Sequence, residues 1–243
     1  MKIKISKTKY GFSVWLMCLV LAACSALPMA SVGEVKTETQ SVEMGSASSA
    51  NVTIDMSAGK LTVAGGADQL MQASFRYNVQ DWQPQVAYNV SGSQGELVVD
   101  QQGRQDALAG PNVVNEWDIR LSEGVPMDVE IHTGAGESNL DLSALDVSIL
   151  RVEIGAGKTD LDLSGNWDHD VNADITGGVG KLTVTLPAEI GVRVNAETGL
   201  GNVTTSGLTQ QGGGYVNSAY GSGTYTLNLD VTAGVGAIEL VVP

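Results

Sequence analysis

Alternating hydrophobic and polar residues run through most of the chain from residue 34 onward. The segments "ANVTIDM" (50–56), "GELVVDQ" (95–101) and "MDVEIHT" (127–133) carry an apolar side chain at nearly every second position. A period of two is that of a β-strand with one buried face, and the 3.6-residue period of an amphipathic helix is almost absent. The pattern therefore predicts an all-β fold, with one short helical turn allowed near Asp68–Gln72.

One pattern recurs through the second half: an alternating strand, then Gly-x-Gly, then a second alternating strand. The copies are "TGAGESNLDLS", "IGAGKTDLDLS", "TGGVGKLTVTL", "TGLGNVTTS" and "TAGVGAIELVV", with a weaker one, "DMSAGKLTVAG", in the first half. Their second glycines are Gly136, Gly157, Gly180, Gly201 and Gly236, at spacings of 21, 23, 21 and 35 residues, and Gly59 in the weaker copy. Glycine permits positive φ and removes a Cβ clash where corners stack. The sequence thus predicts a stacked β-solenoid-like array with structural corner glycines, preceded by a β-rich N-terminal segment.

The stretch "GAGKT" (155–159) looks like the end of a phosphate-binding loop, but its context does not fit one. Such a loop needs a glycine five residues before Gly157, where Val152 stands, and a helix after it. "TDLDLS" is a strand pattern instead. The matching positions of the other copies replace Lys158 with Glu137, Lys181, Asn202 and Ala237. Nucleotide binding is therefore not expected.

Other candidate chemistry is weak. "NWDHD" (166–170) gathers Asp168, His169 and Asp170, but a metal needs convergent ligands, and a turn whose Trp167 fills the core is the favoured interpretation. Outward acids such as those at 141 and 162 favour a solvated acidic face, with a Ca²⁺ site left open. Acid pairs beside aromatic side chains would serve a polysaccharide-cleaving enzyme, and the aromatic candidates are Trp82, Trp117, Trp167, Tyr215, Tyr220 and Tyr225. No catalytic residue, resident metal or cofactor is predicted.

The N-terminus has the pattern of an export signal. Four lysines precede an apolar run, "GFSVWLMCLVLAA", which is too short to span a bilayer and ends at Cys24. Small residues before a cysteine at this place resemble a lipobox, so we predict that Cys24 carries a lipid. The alternative is ordinary cleavage, for example after Ala30.

The net charge of the chain without its signal segment further restricts the expected binding partners. Without residues 1–23, nine Lys and Arg stand against 27 Asp and Glu, a net charge of −18. Nucleic acid is therefore not an expected partner. Membrane contact is expected through the lipid alone. A lipidated mature chain would hold no free cysteine and no disulfide.

Interruptions of the repeat pattern mark the expected contact surface. The polar loop at 101–115 and the Gly/Tyr-rich insertion at 209–225 are the two such segments, since loops on a rigid frame often carry binding. The alternative is that both are tolerated surface insertions. The predicted organisation is a lipoprotein signal peptide (1–23), a tether (24–33), an N-terminal β-rich segment (34–130) and a repeat region (131–243).

Several long segments together resemble the toast-rack family of bacterial envelope proteins. They are "SAGKLTVAGGADQLMQASFRYNV", "NEWDIRLSEGVPMDVEI", "TGAGESNLDLS" and "LSGNWDHDVNADITGG". The C-terminal repeats are similar to the LiaF-like domain of cell-wall-active antibiotic response proteins. The resemblance covers residues 34–243 and implies an all-β stack, with a role in envelope-stress sensing through contact with a membrane kinase. It supplies no catalytic residues, and this chain lacks the multi-span membrane region of those relatives.

The resulting hypothesis is a non-catalytic lipoprotein that binds or senses at the outer face of the bacterial cell membrane. Its partner would be an envelope protein such as a sensor kinase, or a surface glycan. An adhesin-like or structural surface protein is the alternative, and a polysaccharide-active enzyme is a further one.

Overall fold

The computed structural model describes residues 32–101 and 112–243, and most of these residues are in β-strands. The strands are β1 (Val32–Val42), β2 (Ser49–Ala64), β3 (Met71–Val79), β4 (Pro84–Ser91), β5 (Gln94–Gln101), β6 (Asn115–Leu121), β7 (Met127–Asp141), β8 (Val147–Asp162), β9 (Val171–Thr185), β10 (Gly191–Ser206), β11 (Thr209–Gln211), β12 (Gly214–Val216) and β13 (Thr226–Val241). The all-β prediction is confirmed. The helical turn was placed wrongly, because Met71 and Gln72 begin β3 and the single 3₁₀ turn of the described chain lies at Gln80–Trp82.

Several sequence predictions fall outside the described residues. They are the signal peptide, Cys24, almost all of the tether and the centre of the loop at 101–115. Within the described ranges, no helix is both long and apolar enough to cross a membrane.

Six long strands, β2, β7, β8, β9, β10 and β13, run parallel to one another, and each bends once. The bend comes at the second glycine of the Gly-x-Gly motif, where φ lies between 138° and 150°. Each repeat is therefore one continuous strand with two arms, which we call the first arm (before the corner) and the second arm (after it). The register of the pairing is the same before and after the corner, although one pair, two positions before the corner glycine, is missing from each ladder.

The core lies between the two arms, and the corner decides which side chains reach it. In β8 the buried positions include Leu150 and Val152 before the corner but Leu161 after it. The buried positions thus change from even-numbered to odd-numbered at the bend, as they also do in β2. In β7, β9 and β13 they change from odd-numbered to even-numbered, which is the same shift of phase by one residue. Because of this change, both arms present their apolar side chains to one shared core.

The order of the stack differs from the order of the repeats along the chain. The long strands lie in the order β2-β7-β8-β9-β13-β10, so the C-terminal strand is inserted between β9 and β10. Gly236 is consequently the register partner of both Gly180 and Gly201. The 35-residue interval before Gly236 provides the connection that returns the chain from β10 into this position.

The other end of the stack splits into two short sheets. The first arm of β2 pairs with β5 and through it with β4, whereas the second arm pairs with β6, which leads to β3 and β1. The predicted boundary between residues 130 and 131 falls inside β7, within one continuous sheet. The division of the chain into these segments stays a prediction.

Candidate interaction surface

The corner glycines form a ladder along the stack. A Cβ built on Gly157 would lie 1.9 Å from the backbone oxygen of Gly136, and one on Gly180 would lie 1.8 Å from the oxygen of Gly157. The same close approach recurs at the other predicted corner glycines, although for Gly59 the carbonyl belongs to Asn115. A side chain at these positions would therefore meet the backbone of the next strand. The backbone of the adjacent strand therefore occupies the space beside each corner glycine.

Lys158 lies on the exposed side of this ladder. Its Nζ forms an ion pair with the carboxylate of Asp160, two residues further along the same strand, and this contact raises the pKa of Lys158. The residues after it continue β8, so no helix N-terminus faces the Gly155–Lys158 segment. This geometry differs from that of a phosphate-binding loop.

The "NWDHD" turn joins neighbouring strands. Trp167 is only 6% exposed and belongs to the core. His169 Nε2 lies 2.7 Å from Asp146 Oδ1, and Nδ1 lies 3.0 Å from the carbonyl oxygen of Asp170, so the protonated ring can donate to both oxygens. Asp170 Oδ1 accepts a hydrogen bond from the backbone N–H of Thr226, at 2.8 Å. Side chains of this turn therefore bind both the turn between β7 and β8 and the start of β13.

His169 gives the fold a pH-dependent contact. Burial by itself lowers the pKa of His169, but hydrogen bonds to the Asp170 carbonyl and the Asp146 carboxylate outweigh it and raise the pKa above 6.5. Folding thus favours the protonated form. The resulting stability is complete below the unfolded-state pKa and is lost as pH rises through the folded-state pKa. We expect His169→Gln to lower the free energy of unfolding more at about pH 5 than at about pH 9.

Urea unfolding of the wild type and the variant at both pH values measures this difference. Asp146→Asn should reduce the pH dependence in the same direction, since it removes the carboxylate that favours the imidazolium. An equal loss of stability at both pH values would contradict the proposed contact.

The second histidine lies elsewhere, on β7. His132 Nε2 is 3.1 Å from Glu130 Oε1, and His132 is in register with Asp55 of β2 on the outer face of the first arms. Burial raises the pKa of Asp55, as does nearby Asp100, while His132 lowers it. Across the described ranges, no group of three or more His, Cys, Asp or Glu side chains is arranged to hold a metal ion.

The outward acids at 141 and 162 do line up, because Asp141 and Asp162 are register partners on β7 and β8. Each one caps the turn that follows it. Asp141 Oδ1 accepts from the hydroxyl of Ser143 at 2.6 Å, and Asp162 Oδ1 accepts from the backbone N–H of Ser164 at 2.8 Å. These carboxylates therefore shape turns that lead from one strand to the next.

The tryptophan candidates for a sugar-binding platform lie in the interior. Trp82, Trp117 and Trp167 are 2%, 1% and 6% exposed. Tyr215 and Tyr220 are partly buried, and Tyr225 is the exposed member of the set. The described surface thus has no row of stacked aromatic rings beside an acid pair.

The insertion at 209–225 is an integral part of the fold. Its first half forms the hairpin of β11 and β12, and β12 pairs with Arg193 and Val194 of β10. Asn217, which is 4% exposed, follows it. Its Oδ1 accepts from the N–H of Val192 at 2.9 Å, and its Nδ2 donates to the carbonyl oxygens of Pro187 and Ile190 at 3.2 and 2.8 Å. Deletion of this segment would therefore disturb the fold as well as the surface.

An exposed apolar ridge runs along the outside of the corners. It consists of the residues that directly precede the corner glycines. These residues lie in register, and we call them the corner ridge: Ala58, Ala135, Ala156, Val179, Val235 and Leu200. The side chains grow from alanine to valine to leucine along the stack. Val179, Val235 and Leu200 are 56%, 44% and 71% exposed. Leu200 is the largest and most exposed side chain of the ridge. It lies at one end of the stack, because β10 is the last of the long strands.

The same end of the stack carries no charge over a long stretch. Residues 198–229, which we call the uncharged end, contain no Asp, Glu, Lys, Arg or His in a chain with 27 acidic and 13 basic residues. They comprise the second arm of β10, the β11–β12 hairpin, the following loop and the start of β13. The interrupted repeat pattern predicts the loop part of this surface. The ridge was not predicted, although an apolar residue directly before each corner glycine was the available signal.

Comparison with known proteins finds one matching family and several solved structures with similar folds. The family model for the N-terminal domain of toast_rack, DUF2154, matches residues 31–185. A crystal structure of a proposed cell adhesion protein from Clostridium sporogenes is 37% identical, with a TM-score of 0.84 over 86% of this chain and 100% of that one. A proposed adhesin from Bacteroides fragilis is 10% identical, with a TM-score of 0.28 over 85% of this chain and 97% of that one. No match is found among curated proteins.

Proposed function

Since the chain belongs to the toast-rack family, we propose that it is a non-catalytic binding protein of the adhesin type, held by a lipid at the outer face of a bacterial cell membrane. Its contact surface is the uncharged end together with the adjoining large residues of the corner ridge.

The exposed apolar group at the uncharged end is the observation that carries this proposal. Leu200 is 71% exposed on a chain whose formal net charge is −14, and Val235 stands beside it on the next strand. Exposed apolar side chains that lie together mark interaction sites more often than scattered ones do. The rigid ladder behind them keeps their spacing fixed, which suits contact over a broad face. The C. sporogenes protein, with the same fold and 37% identity, supports an adhesive role.

The membrane attachment is a separate part of the proposal and has its own prediction. "LAAC", ending at Cys24, closes a short apolar run, so a diacylated cysteine is expected to become the mature N-terminus. Metabolic labelling of cells with an alkyne fatty acid should mark the protein, and Cys24→Ala should abolish the label. Undiminished labelling of the Cys24→Ala variant would exclude this residue as the anchor.

Adhesion is tested with cells that display the full chain and cells that lack it. We expect the displaying cells to attach better to surfaces coated with mucin or purified peptidoglycan, and Leu200→Asn combined with Val235→Asn to remove most of the gain. The matched control is Val35→Asn with Val90→Asn. These two valines are 45% and 40% exposed but lie at the opposite end of the stack.

Attachment that is equal with and without the protein would reject the adhesive role. Equal loss in both double variants would reject the uncharged end as the contact surface.

Envelope-stress sensing is the second candidate, favoured by the similarity of the C-terminal repeats to the LiaF-like domain. It predicts that deletion of the gene alters the transcriptional response to a cell-wall-active antibiotic, whereas an adhesin predicts an unchanged response. A partner kinase would then be recovered by cross-linking in intact cells.

A further inference from the structure

The corner and the second arm of β10 form an open strand edge. Leu200 and Gly201 at the corner and Asn202–Ser206 after it pair with β13 on one side, and no strand of the described chain pairs with their other side. The β11–β12 hairpin covers only Arg193 and Val194 of the first arm. An open edge presents unpaired backbone N–H and C=O groups and is a template for another strand.

Proteins usually protect such edges, and the other edge strands of this molecule show how. β1 carries Glu34, Lys36 and Glu38 along its exposed length, and β4 begins with Pro84. Charges and proline on an edge disfavour pairing with a further strand. The segment 200–206, "LGNVTTS", has neither. It is therefore the unprotected edge among the described strands of the second-arm sheet.

We infer that this edge pairs with the same edge of a second copy, in a two-fold symmetric, antiparallel contact centred near Val203. The inference deepens the proposed function by naming a second copy of this chain as a partner of the uncharged end, and it rests on that proposal only for its adhesive role. A two-fold contact uses the same patch on both copies. The pairing sets Asn202 opposite Thr204 of the second copy and covers part of Leu200.

The local absence of charge allows this edge to accept a second copy. Without residues 1–23 each chain carries a net charge of −18, so two copies repel one another and contact is least opposed where acidic side chains are few. Residues 198–229 supply such a place, and Glu239, the register partner of Thr204 on β13, is paired with Lys181 Nζ at 2.7 Å. Asn, Thr and Val opposite one another across an antiparallel pair contribute favourable cross-strand contacts.

The geometry of the pair also suits adhesion. β1, where the chain leaves the predicted tether, and β10 stand at opposite ends of a row of nine strands. At about 4.8 Å between strands, the two ends are roughly 38 Å apart. A contact between two β10 edges therefore directs the two tethers away from each other, so the pair joins copies held on facing surfaces.

Site-directed cross-linking of the full chain, with Cys18 and Cys24 both replaced by alanine in every sample, the wild-type control included, tests the contact. Thr204→Cys is exposed on the edge strand, and Thr183→Cys is the matched control, because Thr183 occupies the same column on the interior strand β9. With a short bifunctional thiol reagent, Thr204→Cys should give a covalent dimer, while Thr183→Cys and the wild type should not. Dimer from both variants, or from neither, would overturn the inference.

A second set of variants checks that pairing of this edge is responsible. Asn202→Lys with Thr204→Lys places like charges opposite each other and should convert the wild-type dimer to a monomer in sedimentation equilibrium. Asn172→Lys with Thr183→Lys adds the same charge on β9 and should leave the dimer intact. A monomeric wild type at every concentration overturns the inference even if cells attach to coated surfaces, whereas a dimer without any attachment rejects only the adhesive role.

Discussion

Replacement of Gly157 by alanine is expected to lower the free energy of unfolding by about 3–5 kcal/mol. Gly157 has φ of 138°, a backbone conformation that residues with a Cβ rarely adopt. Its Cβ would also lie 1.9 Å from the carbonyl oxygen of Gly136, so two paired strands would have to separate at the corner. Urea unfolding followed by circular dichroism measures the loss, and the melting temperature should fall by roughly 10 °C.

The neighbouring position provides the matched control. Ala156 is exposed on the corner ridge, and its register partner Val179 already shows that a valine fits there. Ala156→Val should therefore change stability by less than about 0.5 kcal/mol. If Gly157→Ala and Ala156→Val unfold at the same urea concentration, the corner glycine has no structural requirement and the interpretation of the ladder is wrong.

Asn217→Leu has the second-largest expected effect, a loss of about 3 kcal/mol. Leucine has a similar size but cannot hydrogen-bond, so the N–H of Val192 and the carbonyl oxygens of Pro187 and Ile190 would lose their partner inside the protein. A buried polar group without a partner costs about 1–3 kcal/mol. Because Asn217 holds the insertion against the start of β10, the loss should appear first at that end of the stack.

Hydrogen exchange resolved by mass spectrometry can locate the change. Exchange should speed up in β10 and the β11–β12 hairpin and remain slow in β7 and β8. Gln210→Leu, on the exposed side of the same hairpin, serves as control and should stay within about 0.5 kcal/mol of the wild type. Uniform exchange throughout the stack in Asn217→Leu would mean that this end does not open separately.

The candidate contact surface was only partly predictable. The sequence identified 209–225 as an interruption of the repeats, and that segment lies at the uncharged end. It did not show that Asn217 is buried, because an asparagine in a Gly-rich stretch has the composition of an exposed turn. The exposure of Leu200 was also hidden, since an apolar residue in an alternating pattern is normally assigned to the core. Leu200 is exposed because the backbone turns at the corner and directs its side chain outward.

The sequence by itself determined the strands, the corners and the class of fold. Local alternation sets which residues form strands, and a glycine is required wherever the backbone takes positive φ against a neighbouring carbonyl, so both features can be read from short segments. The order β9-β13-β10 was decided only by the tertiary structure. Every repeat carries the same corner and the same alternation. The sequence pattern therefore does not distinguish whether β10, with its corner at Gly201, or β13, with its corner at Gly236, pairs with β9. The choice depends on long-range contacts, with Asn217 bound to β10 and Asp170 bound to Thr226 at the start of β13, and no local segment contains them.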